Sequence, residues 1–107
     1  VFVPPAPPHI AADPRVTKEN YQLVKAGGGS DILGGRNPRI YEVWYAGGKM
    51  TECSHWKDHY IAEEEAQRFV DAQVAQFQAL HDALVVAKTA EHETEVVRRR
   101  AAFERGE

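Results

Sequence analysis

The sequence predicts a mixed α+β chain, mainly helical, with an extended proline-rich N-terminal arm, a β-hairpin and one long C-terminal helix. Three observations predict it. Five of the six prolines fall within residues 1–15. An aromatic and β-branched run over 39–45 is followed by Gly47-Gly48 and a second strand-like run. Residues 61–105 contain neither glycine nor proline and are dense in Ala, Glu, Gln and Arg. The chain therefore divides into an arm (1–15), an irregular glycine-rich connector (16–38) and a hairpin-plus-helix unit (39–105).

In the arm, VFVPPAPPHIAADPR, proline fixes φ, removes backbone donors and pushes each preceding residue toward an extended conformation. An arm without internal partners is expected to be laid along another chain, with Pro4, Pro5, Pro7 and Pro8 as contact residues. Residues 16–25 carry Val16, Tyr21 and Val24 as apolar points and fit a short helix or a strand equally. Residues 26–35 hold five glycines, too many for a regular element, and Ile32 and Leu33 are expected to pin this loop to the core. The stretch Ala26-Gly27-Gly28-Gly29-Ser30-Asp31 lacks the Gly-Lys-Ser/Thr ending of a phosphate loop and reads as a linker.

The run Arg39–Tyr45 pairs with Lys49–Cys53 across a turn in which Gly47 and Gly48 can both take positive φ. Alternation places Tyr41, Val43 and Tyr45 on one face, assigned to the core, and Ile40, Glu42 and Trp44 on the other. Ile40 and Trp44, with Trp56 beyond the second strand, are assigned to a partner, because Trp supplies large apolar area with a polar tip. In the helix, Ala66, Val70, Gln73, Phe77, Leu80, Leu84 and Ala87 follow alternating spacings of four and three. A single helix of this length extends about 67 Å at 1.5 Å per residue, far beyond a small core. With no Gly, Pro or Asn to turn it near 88–93, its distal part is expected to lie on a neighbour or to mediate oligomerisation.

The densest chemical cluster is Cys53-Ser54-His55-Trp56-Lys57-Asp58-His59 with Glu63. If Ser54 caps the helix, His55, His59 and Glu63 stack one turn apart, and with Cys53 they form the weak candidate metal set. The His-Glu-x-x-His pattern of helical metalloproteases is absent, so no metal and no cofactor is assigned. Cys53 is expected to be a packing residue rather than a nucleophile, since little chain remains to build a cleft around it. Arg98, Arg99 and Arg100 form the main basic cluster. Their place near the negative end of the helix dipole, and Glu95 four residues before Arg99, account for them without a nucleic-acid ligand. They are retained as partner contacts.

Composition sharpens the expectation. Of 107 residues, 23 are Val, Ile, Leu or Phe and 15 are Ala. That proportion of large apolar residues sits just above the level at which chains fail to bury enough surface to fold. A net charge of −3 gives no reason to expect nucleic-acid binding, and no apolar run approaches the roughly 18–20 residues of a membrane span. Too little apolar surface for so much ordered backbone points to a non-catalytic structural or accessory subunit docked on a larger protein assembly. A regulator that binds one target enzyme, and a metal-binding module using His55 and His59, are the alternatives. Composition does not assign a compartment.

Overall fold

The computed structural model describes residues 1–27, 38–56 and 58–106. Two short 3-10 turns, Pro14–Val16 and Lys18–Asn20, follow the arm. Then come strands β1 (Tyr21–Gly27), β2 (Arg39–Tyr45) and β3 (Gly48–His55), and one unbroken helix α1 (His59–Glu104). The molecule is a rod, 86 × 19 × 14 Å, because one 46-residue helix sets its length. The expected α+β organisation is thus present, with one more strand than the sequence suggested.

That strand overturns the expectation of an irregular connector from residue 16. β1 pairs antiparallel with β2 along its whole length, from Tyr21 opposite Tyr45 to Gly27 opposite Arg39. Local propensity left 16–25 undecided, and pairing with a strongly β-prone neighbour decides it. β1 closes in Gly27, whose φ is +67° and where a Cβ would lie 2.8 Å from the Pro38 carbonyl oxygen. The expected anchoring by Ile32 and Leu33, and most of the glycine linker, lie outside the described residues.

β2 is the central strand of the order β1-β2-β3. The β2–β3 turn sits one residue earlier than expected. Ala46 and Gly47 take the positive φ values, +51° and +80°, while Gly48 already pairs with Tyr45. A register shift across from the Val43–Trp44 step leaves Met50 of β3 unpaired and marks a β-bulge there.

One sheet face packs on the first turns of α1. Tyr21, Val43, Ala66 and Val70 are buried, with Leu23, Tyr41, Tyr45, Cys53, Phe69 and Val74 packed around them. The assignment of Tyr41, Val43 and Tyr45 to the core is therefore correct. Lys18 reaches Asp71 at 3.6 Å and ties the second 3-10 turn to the helix. The expected helical stripe holds only through its first half. Ala66 and Val70 are buried, whereas Leu80 is 57% and Leu84 45% exposed. Leu84 lies five full turns from Ala66, on the same line of the helix, so its exposure follows from the end of the sheet, whose core neighbours on α1 run only from Ala66 to Val74.

The arm meets a partner within its own chain, which corrects the expectation that it has none. The Phe2 and Phe103 rings lie 5.7 Å apart, and Arg100 stands 5.7 Å from the Phe2 ring. Pro5, Ala6 and Pro8 share a shallow surface depression with Lys88, Glu91, His92 and Glu95. Ala11, Ala12 and Pro14 share another with Leu80, His81 and Leu84, and the Arg15 guanidinium lies 4.1 Å from the Phe77 ring. The arm thus runs antiparallel to α1 from Phe103 back to Phe77. Those two helical positions are about 39 Å apart at 1.5 Å per residue. From Phe2 to Arg15 the arm must rise about 3 Å per residue to span them, which is the rise of polyproline II.

Three substitutions test this account. Val43→Ala removes two methyl groups from a site with no exposure and is expected to cost about 2 kcal/mol. That lowers the thermal midpoint by roughly 10 °C for a chain of this size. Val97→Ala, at a side chain 69% exposed, costs less than about 0.5 kcal/mol. Ala46→Asn supplies the residue a positive-φ turn before glycine favours, and is expected to stabilise by about 1 kcal/mol. Circular-dichroism melts read all three.

Candidate interaction surfaces

The cluster around residues 53–63 does not assemble as the helix spacing suggested. The helix cap is Asp58, not Ser54: its carboxylate accepts the Tyr60 N–H at 2.8 Å. Ser54 lies within β3, opposite Ile40. His55 is the last residue of β3, and its Nδ1 accepts the Asp58 N–H at 2.9 Å, fixing the turn from strand to helix. His59 opens α1, so only His59 and Glu63 share a helical face. Among the described residues, no group of three or more His, Cys, Asp or Glu side chains is placed to hold a metal ion.

His59 and Glu63 lie against β2. The His59 ring meets Tyr41 edge-on at 6.2 Å, with its Nδ1 buried and unpartnered. Burial, and then the charges of Lys25 and Arg39, hold its imidazole below the ordinary histidine range. Burial raises the Tyr41 phenol, and the neighbouring Glu63 carboxylate raises it further. Cys53, half-buried among the core side chains, is pushed up by burial and then by Glu65. A thiol held protonated in this way is a packing group, with little thiolate for nucleophilic attack.

The outer face of the sheet, away from α1, is built from cross-strand neighbours. Trp44 lies opposite Gln22 and Lys49, Glu42 opposite Val24 and Glu52, and Ile40 opposite Ala26 and Ser54. Trp44 Nε1 donates to Glu42 at 3.1 Å, and Lys49 bridges Glu42 and Glu52. The result is a half-buried indole framed by a satisfied polar network; Val24, opposite Glu42 on the same face, and Met50, at the bulge, are each 40% exposed. Trp56, just past β3, is 55% exposed. Val24 and Met50 were not singled out from the sequence. Val24's signal is alternation, legible only once 21–27 is recognised as a strand, whereas Met50 sits at the bulge of β3, where alternation breaks.

At the far end of α1 the three arginines are placed by acids on their own helix. Glu95 accepts from Arg98 at 2.6 and 3.0 Å and from Arg99 at 2.6 Å, the latter being the expected i,i+4 pair. Arg100 pairs with Glu104 at 3.4 Å while standing over Phe2. The Arg98 and Arg99 guanidiniums lower Glu95 to about 2, and Arg15 does the same for Asp13. Pro5 and Pro8 face the same helix a few turns earlier. The back of the helix is bare along its length: Ile61 is 38% exposed and Val86 and Val97 are 69% exposed. No helix is long and apolar enough to cross a membrane among the described residues.

Compared with known proteins, the chain matches no family model, no curated protein and no solved structure.

The pairing at Glu95 has a titration consequence. A carboxylate lowered in the folded state contributes stability above its unfolded value, and that contribution is lost as pH falls from about 4 toward 2. In side-chain carboxyl NMR, Glu95 is expected to titrate near 2. In Arg98→Ala its midpoint moves up toward the ordinary glutamate range, whereas Arg68→Ala, at the other end of the helix, leaves it in place.

Proposed function

We propose that this chain is a non-catalytic structural or accessory subunit that docks onto a larger protein assembly. The observation that carries the proposal is the outer sheet face. It offers Trp44, whose indole N–H is held by Glu42, with Val24 and Ile40 farther along the same face, on a sheet only one layer thick whose other face is already used by α1. Trp, with a large apolar body and a polar tip, is among the residues enriched at interface hot spots. Trp56 extends the same end of the molecule.

Further support comes from shape. A rod 86 Å long, with five buried apolar residues at one end among those described, has far more surface than its core requires. The bare back of α1, from Ile61 to Val97, gives the same chain a second surface for association, including association with further copies. Catalysis and nucleic-acid binding have no comparable support: Cys53 is held as a thiol, and Arg98, Arg99 and Arg100 are matched by Glu95 and Glu104.

Size-exclusion chromatography of the native protein from its source tests the proposal, with quantitative mass spectrometry of the eluted complex. The chain is expected far above its monomer size, at fixed ratio to its partners. Trp44→Ala should weaken that association at least tenfold, as loss of an interface anchor does, while the far-ultraviolet helix signal stays unchanged. Elution of the native chain as a free monomer would overturn it.

A further inference from the structure

Phe2 and Arg15 contact α1 at Phe103 and Phe77, with Pro5 and Pro8 lining a depression with the helix between them, and the arm keeps step with it, spending one residue for every two of the helix. Its manner of attachment is unlike anything in the sheet-bearing end. Among the described residues, no hydrogen bond joins residues 1–12 to the helix. The contact consists of the Phe2–Phe103 pair with Arg100 at one end, Arg15 on Phe77 at the other, and proline and alanine laid flat between them. Four prolines in residues 4–8 remove backbone donors, so little is left orphaned when the arm lies on the helix and little must be rebuilt when it leaves. None of the arm's side chains belongs to the core cluster around Val43.

We propose that residues 1–12 are a latch, which opens and closes on the distal helix as a unit while the 3-10 turns, the sheet and the first turns of α1 stay folded. Segments with few buried apolar contacts and water-accessible backbone open locally at far lower free energy than the core. Closing is favoured by tethering: the 3-10 turns hold the arm's base beside Phe77, where its effective concentration is in the millimolar range. The seam it covers carries Phe77, His81, Val85, His92 and Val96, all partly buried in the closed form. Opening presents that seam to solvent, and anything that reads it must first outcompete the arm. The latch stands independently of what the outer sheet face binds.

Electron–electron double resonance on the full chain tests it, with nitroxides at Ala6→Cys and Glu91→Cys and the native thiol removed by Cys53→Ala. Trp fluorescence and circular dichroism follow the body, since both tryptophans lie outside the arm. The expected distance distribution has a dominant short component and a minor long one, on the order of a few to ten per cent. Phe2→Ala should raise the ratio of long to short roughly tenfold, while the thermal midpoint of the body moves by less than about 2 °C, consistent with an element outside the cooperative core. Val3→Ala, at a side chain 80% exposed, should change neither. A single short distance that persists until the body melts would overturn the proposal. So would a Phe2→Ala chain whose body melts earlier together with the arm, or a wild-type chain showing only the long distance.

Discussion

Val43 is wholly buried because α1 offers it small and β-branched neighbours: Ala66 and Val70, with Ala62 one turn earlier, all without exposure. Everything else hangs on that contact between a central strand and a helix. A larger side chain at Ala66 would lift the sheet away, and Tyr21 and Tyr45, whose rings lie 5.1 Å apart, would lose the floor they pack on. The Tyr21 hydroxyl donates to the Arg15 carbonyl at 2.7 Å, so the same packing also fixes where the arm begins. One layer of sheet on one helix buries one face of each. The opposite faces remain as surface, and it is these that carry the functional proposal.

The two ends of the rod therefore obey different rules. Near β2, apolar side chains interdigitate and backbone groups are satisfied in the sheet and helix. Beyond Phe77 the helix continues on the strength of its own composition, with i,i+3 and i,i+4 pairs such as Lys88–Glu91, Glu95–Arg98 and Glu95–Arg99 spaced along it. Such pairs add a few tenths of a kcal/mol each at most, so they bias the helix rather than anchor it. The arm is the only tertiary neighbour that the distal helix has among the described residues. Helicity there comes from sequence, and position in space comes from a ribbon of prolines.

Much of this was legible beforehand where a single local rule decides the outcome. The hairpin faces followed from alternation, and the unbroken helix from the absence of Gly and Pro between residues 61 and 105. What escaped detection required two parts of the chain to be read together. Tyr21–Gly27 is a strand because Arg39–Tyr45 lies beside it. The cap is Asp58 because β3 uses Ser54 and His55 first, and this dissolves the apparent His55–His59–Glu63 spacing. Ala46 takes the positive φ that Gly48 could have taken, since the ladder register is set by the packing of Val43 and Tyr45 rather than by turn preference. The arm's partner was hidden for the same reason: aromatic residues at positions 2 and 103 give no sign of each other until the helix is known to be straight.

The matched strides of arm and helix have a consequence for how this chain tolerates change in length. Ribbon and cylinder act as the two scales of a vernier, aligned at both ends by aromatic rings. Removing one residue between Phe2 and Arg15 shortens the ribbon by about 3 Å, and only the loss of two residues from the helix restores the alignment. Adding or deleting two helical residues, however, turns the far end by about 200°, carrying Phe103 to the wrong side. Seven helical residues, nearly two full turns, come close to preserving both angle and reach when matched by three or four in the ribbon. The distance between these landmarks is thus locked in coarse steps, even though most side chains along it are exposed.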